Sequence, residues 1–176
     1  MTTKAFYLTD KTLDSLPQWL IDNRESGPLD IYINSTGGDI LSAISSISLI
    51  SSHKDTITTY ITGSAESAAL LIAISGHTRI ANQNSFGMVH PVSMIVEGTY
   101  HDHMDAVKHH KIIFETIKNI LLSNSLAKEE QIDALMGPQT TWLRPHDLIN
   151  FGFIDFIVEV ENLERIDGKD KTITKI

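Results

Sequence analysis

The sequence of 176 residues predicts a single α/β domain built on a mostly parallel sheet. Two observations carry that expectation. Strand-like and helix-like stretches alternate along the chain, and glycine-marked breaks fall where a strand gives way to a helix. The length and a hydrophobic content of 41% suit one sizeable core, placed here over residues 1–160. Residues 161–176 are polar and read as a C-terminal tail.

The elements follow from periodicity. "KAFYL" (4–8) is strand-like, and "TLDSLPQWLIDNRES" (12–26) has the spacing of an amphipathic helix that stops before Gly27-Pro28. "LDIYINS" (29–35) alternates β-branched and aromatic residues and ends at Gly37-Gly38. Ile40, Ile44, Ile47 and Ile50 recur at helical spacing within 39–53, so one face of that helix packs inward. A strand over 56–63 then breaks at Gly63, and a buried helix runs from about 67 to 75. Short strands at 78–82 and 86–90 precede a long helix over about 102–123 and a shorter one over 127–136. A Pro-started helix at 145–151 and a strand at 153–160 close the domain. Helices between successive strands predict a sheet covered on both faces. Trp142, Phe151 and Phe153 read as core.

Composition removes several functions. Without cysteine there is no disulfide scaffold, thiol nucleophile or thiolate-held metal. A net charge of -8 opposes binding to a phosphate backbone, and the nearest basic stretch, 169–175, is interrupted by Asp170. No apolar run is long enough to span a bilayer, and "MTTKAFYLTD" lacks the apolar block of a secretory signal. The expectation is a cytoplasmic protein with neither nucleic acid nor membrane as partner.

The chemistry concentrates at the two breaks, because ligands gather where parallel strands end and helices begin. A helix start offers unpaired N–H groups and a positive dipole end, which suits a developing oxyanion. Ser67 can serve there as a nucleophile, with the N–H groups of Ala68 and Gly38 as donors. Equally, Ser64 or Ser67 can simply cap the helix. His90, at the end of its strand and just before Pro91, is either a general base facing a cleft or a structural histidine. Asp39 reads as the cap of the helix that follows it. In "HDHMDAVKHH" (101–110), positions 101, 103 and 109 do not share one helical face, so the stretch reads as a solvated or inter-subunit surface and no metal is expected.

Taken together and in this order, "IYINSTGGDI", "ITGSAESAALLIAISG", "SFGMVHP" and "WLRPHDLINFGFIDFI" resemble the proteolytic subunit of the Clp protease over most of residues 4–158. The resemblance implies a Clp protease/crotonase-like layered α/β fold with a mostly parallel sheet and a protruding handle helix in about 91–124. It implies a serine endopeptidase in which Ser67 is the nucleophile, His90 the base, and Gly38 and Ala68 the oxyanion hole. Gly37, Asp39, Ile40 and Leu41 would hold an extended peptide by strand addition. It further implies a homo-oligomer of stacked, heptameric rings that encloses the sites, a polypeptide substrate, no cofactor, and an unfolding ATPase as a candidate partner.

Three positions depart from the family pattern. Thr140 stands where the family carries its acidic triad member, two residues before the aromatic Trp142; its hydroxyl can accept the His90 N–H and fix the tautomer but brings no charge, which leaves a slow site, a site that borrows a carboxylate such as Asp102 or Asp105, or an inactive one. Glu66 puts a charge before the serine where a small residue is usual. The first core strand starts close to Met1, leaving no room for the family's pore-lining loops. Thr140 therefore favours a second reading, a catalytically weakened ring subunit. A third, a crotonase-type enzyme acting on acyl-CoA, is opposed by the pairing of Ser67 with His90.

Overall fold

A computed structural model describes residues 3–158. The expected tail at 161–176 lies outside them. The strands are β1 (Lys4–Leu8), β2 (Leu29–Ser35), β3 (Ile57–Glu66), β4 (Thr78–Asn82), β5 (Phe86–Val89), β6 (Thr141–Leu143) and β7 (Phe156–Val158). Six α-helices join them: α1 (Leu16–Asp22), α2 (Ile40–Ser51), α3 (Ala68–Ala73), α4 (Tyr100–Ser123), α5 (Glu129–Leu135) and α6 (Pro145–Phe151).

The result is the expected mixed α/β architecture. Strands β1-β2-β3-β4-β7 lie parallel in that order, β5 pairs in parallel with the far end of β3, and β6 runs antiparallel to β5. The helix expected over 12–26 is shorter than its pattern. A 3₁₀ turn at Leu13–Ser15 precedes α1, whose Pro17 sits in the first turn, where a missing N–H is harmless. Beyond α1, the Asn23 side chain donates to the Trp19 carbonyl and closes the last turn.

The expectation that both faces of the sheet are covered is not met. Leu29, Ile31 and Ile33 of β2 are wholly buried, as are Ile57 and Ile61 of β3 or nearly so, whereas Tyr32 and Tyr60 between them are only half-buried. Helix α3, buried at every residue, packs on the apolar face. On the other face one row crosses all five parallel strands, Tyr7, Tyr32, Tyr60, Ile80 and Phe156 in register. Its tyrosines stack on one another at centroid separations of 5.4 and 4.7 Å, shielding themselves in part without a covering helix. The strict alternation of "LDIYINS" is the mark of a one-sided sheet.

Two further expectations change. Trp142 is 58% exposed, because β6 is an edge strand that turns it outward against Phe86, while Phe153 is fully buried as expected. Gly63 does not end β3. The β2–β3 register jumps from Ile33↔Ile61 to Ser35↔Ala65, which places a bulge at Thr62–Ser64. Asn34 fills it, its Oδ1 accepting the Ser64 N–H at 3.0 Å and crowding the space where Gly63 has no side chain. Past the bulge, Ser64, Ala65 and Glu66 pair with β5 instead of β4. That switch brings β3 and β5 together at the edge where the site lies.

Helix α4 is the long helix of the expected handle. Of its 24 residues only Ile113 and Leu121 are buried, so its N-terminal half projects from the domain. Thr99 and Asp102 close a reciprocal capping box at its start.

Candidate active site

The C-terminal ends of β1, β2, β3 and β5 lie along one edge of the sheet. The break in β3 falls at Ser67, four residues beyond Gly63. Ser67 has φ 52° and ψ -123°, the one positive φ outside glycine among the described residues. Such a conformation is strained by about 1–3 kcal/mol and persists only where its surroundings impose it. Here the Ser67 N–H donates to the Met88 carbonyl of β5 at 2.8 Å, and its carbonyl accepts the Leu70 N–H at 3.1 Å. A serine on so sharp a strand-to-helix turn presents its hydroxyl clear of the backbone.

Capping is therefore not what Ser67 does. It occupies the position before α3, yet its side chain makes no capping bond. Its Oγ instead lies 2.8 Å from His90 Nε2. The other ring nitrogen, Nδ1, lies 2.8 Å from the carbonyl oxygen of Pro91. A carbonyl only accepts, so Nδ1 carries the hydrogen and Nε2 offers its lone pair to the serine hydroxyl. That is the tautomer a general base requires.

Gly38 and Ala68 both line the cavity beside Ser67, and their main-chain amides are the candidate donors. Neither donates a hydrogen bond within the described residues, which leaves both available to an oxygen anion. Gly37 (φ +105°) and Gly38 (φ +154°) turn the chain in a way that disfavours any side chain. At Gly37 the fit is also tight, since an added Cβ would lie 2.8 Å from the Glu66 carbonyl oxygen and 3.0 Å from Ser67 Cβ.

Asp10, just past β1, is a residue that periodicity does not single out. Its Oδ1 accepts the Ser35 hydroxyl at 2.8 Å and the Thr36 N–H at 2.7 Å, and Ser35 Oγ in turn accepts the Gly37 N–H at 3.1 Å. Those bonds, Ser35 first, hold the Asp10 carboxyl below the ordinary range and tie down the turn that carries Gly38. The signal available in the sequence was its position: in a parallel sheet, the residue after β1 reaches the same edge as the residues after β2.

Other expected residues fall differently. Asp39 caps α2, its Oδ2 accepting the Ser42 N–H at 2.6 Å. Because α2 starts at once, Ile40 and Leu41 are helical, and the backbone left free of the helix for a peptide strand ends at Asp39. Thr140 is exposed and makes no hydrogen bond to His90, although extending the β5–β6 register beyond Val89↔Thr141 sets 140 opposite 90. Asp102 bonds Thr99 and Asp105 bonds Lys108, so neither serves the histidine. Glu66 is the last residue of β3, not a helix residue, and is half-buried. Among the described residues no three histidine, aspartate or glutamate side chains converge as a metal site, and no helix is long and apolar enough to cross a membrane.

A cavity of about 490 Å³ opens beside Ser67 and Ala68. Leu71 of α3, Val92, Ile113, Phe114 and Ile117 of α4, and Met136 give it apolar walls.

Fold and site together define an α/β protein with a serine–histidine pair at the carboxyl edge of a parallel sheet. The chain belongs to the Clp protease family, whose model, described as Clp protease, matches residues 12–161. It is 30% identical over 137 residues to an ATP-dependent Clp protease proteolytic subunit of Streptococcus sanguinis, covering 76% of this chain and 69% of the relative. Subunits of the same description from Streptococcus agalactiae and Streptococcus gordonii are each 28% identical, over 76% of this chain and 70% and 69% of theirs.

Proposed function

We propose that the chain is a serine endopeptidase that cuts peptide bonds in unfolded polypeptides. The observation that carries this reading is the 2.8 Å contact between His90 Nε2 and Ser67 Oγ, made by a strained serine beside two unpaired amides. Ser67 Oγ attacks the scissile carbonyl carbon while its proton passes to His90 Nε2. The carbonyl oxygen becomes an anion held by the N–H groups of Gly38 and Ala68. When the intermediate collapses, the C–N bond breaks and the proton on His90 goes to the leaving amine. Water then attacks the acyl-serine ester by the same route, giving an acid and restoring the serine. No cofactor takes part.

The apolar cavity beside the nucleophile fits the side chain on the acyl side of the scissile bond, and favours large aliphatic or aromatic residues there. Substrate backbone would lie along residues 36–39, which belong to no strand or helix and so keep main-chain groups free of a partner strand. Assembly into rings is part of the reading. The tyrosine row and the exposed Tyr100, Val107 and Ile112 of α4 leave apolar surface of the kind that further copies of the chain bury.

The test is labelling with a fluorophosphonate probe, read by intact mass, beside Ser67→Ala and His90→Ala. A single adduct absent from Ser67→Ala and strongly diminished in His90→Ala supports the reading. A folded, assembled protein that takes up no probe supports the alternative of a catalytically weakened ring subunit, which is favoured by the lack of a carboxylate on His90.

A further inference from the structure

We infer that the main-chain carbonyl of Pro91 is the group that orients His90 for catalysis, with the proline ring limiting the rotations between them, in the place where serine peptidases commonly use a carboxylate. The inference rests on the serine-peptidase reading for its role in turnover, and on geometry alone for the orientation itself. His90 Nδ1 has one partner among the described residues, the Pro91 oxygen at 2.8 Å, and Nε2 has one, Ser67 Oγ. No carboxylate bonds the ring among the described residues: Asp39 caps α2, Asp102 caps α4, Asp105 pairs with Lys108, and Glu66 makes no bond to the ring.

Pro91 is a positioning residue, and its chemistry explains how one carbonyl holds a ring. The pyrrolidine fixes φ of Pro91 near -65°, and the residue before a proline is pushed out of the helical region into extended backbone. The proline ring thus removes φ of Pro91 and the helical states of His90 from the rotations that separate the imidazole from the Pro91 oxygen, leaving ψ of Pro91 as the free backbone angle. A bond between a side chain and the next residue's carbonyl is therefore lost to fewer rotations here than at most residues.

The consequence for rate has two parts. A carboxylate removed from a triad lowers turnover by about 10⁴, largely because the histidine takes the wrong tautomer. The Pro91 carbonyl keeps the right tautomer, so that loss does not apply. What a neutral oxygen does not supply is full charge against the imidazolium formed when Ser67 gives up its proton, because bonds between charged partners are about twice as strong as neutral ones. The site is an active but slow dyad.

The experiment uses the intact assembled protein, with its eight histidines labelled with ¹⁵N and His90 assigned by comparison with His90→Gln. Long-range proton–nitrogen spectra read which ring nitrogen bears the hydrogen, and the rate of fluorophosphonate labelling is measured on the same samples and on Pro91→Ala. The expected result is Nδ1–H in the wild type. In Pro91→Ala, which keeps the carbonyl but frees the backbone that carries it, the Nε2–H form gains population and labelling at Ser67 slows by up to about tenfold, the worth of the hydrogen bond were it lost outright. His90 protonated on Nε2 in the wild type overturns the inference, whether or not Pro91→Ala folds. So does a folded Pro91→Ala in which tautomer and rate are both unmoved. Nδ1–H in a wild type that takes up no probe upholds the orientation and defeats the peptidase reading instead.

Discussion

Replacing Gly37 by alanine tests the geometry of the site at its tightest point. Gly37 has φ +105°, and an alanine Cβ there would stand 2.8 Å from the Glu66 carbonyl oxygen, 3.0 Å from Ser67 Cβ and 3.3 Å from the Ala68 nitrogen. The backbone conformation alone costs about 1–2 kcal/mol. Relieving contacts with main chain, which has no rotamer to change, adds about 1–3 kcal/mol by analogy with overpacked cores. Gly37→Ala should therefore lower stability by about 2–5 kcal/mol. The atoms that must yield belong to Glu66, to Ser67, the proposed nucleophile, and to Ala68, a proposed oxyanion donor, and loss of one such donor slows acyl transfer about 10²–10³-fold. Gly38→Ala is the control: its φ of +154° is also unfavourable, but the nearest atom to its Cβ is a flexible Leu13 methyl at 3.6 Å. It should destabilise by only about 1–2 kcal/mol and slow labelling less than tenfold. Urea titration and the second-order rate of fluorophosphonate labelling measure both variants. Equal losses of labelling in the two, or an undiminished rate in Gly37→Ala, would refute the reasoning.

Three further outcomes follow from the same contacts. Asp10→Ala frees Ser35 and Thr36 and loosens the turn before Gly38, so labelling should slow about fivefold, the worth of roughly one hydrogen bond; an unaltered rate would remove Asp10 from the site. Thr140→Asp sets a carboxylate opposite His90 across the β5–β6 pair and should raise the rate of peptide cleavage about tenfold with little change in KM, whereas a lower or equal rate would count against the placement of 140. Arg79 bonds both Asp155 oxygens and the carbonyls of Asn124 and Gly152, so Arg79→Met should cost about 2–4 kcal/mol in urea. Burial by itself would raise the Asp155 carboxyl, but hydrogen bonds from the Arg79 side chain and N–H, and its charge, outweigh burial and hold it below 3.8. A group with a depressed folded value stabilises the fold above its unfolded value and loses that contribution as the pH falls through the folded one. The wild type should thus lose stability as the pH drops below about 3.8, and Arg79→Met should lose less over the same interval; parallel curves would argue against the pair.

The order of strands and helices was legible because each segment carries its own period. "LDIYINS" alternates, and the isoleucines of α2 recur at helical spacing, whatever the rest of the chain does. Ser67, His90, Gly38 and Ala68 were legible as candidates for a related reason: each stands at a break between elements, where a parallel sheet exposes side chains and amides. The covering of the sheet was misjudged, although the alternation in β2 held the answer. β6 was not foreseen, since three residues are too few to show a period and it exists only as the partner of β5.

The sequence by itself determined which residues can do chemistry here, because a hydroxyl, an imidazole and glycine-rich turns are properties of single residues and short spacings. Only the tertiary structure decided which of them meet. The bulge filled by Asn34 carries β3 from β4 to β5, and that change of partner closes 23 residues of chain separation to 2.8 Å between His90 and Ser67. It also decided that His90 turns to the Pro91 carbonyl and not to Thr140, since a ring bonds the acceptor that the backbone dihedrals bring within reach, and no spacing in the sequence encodes those angles.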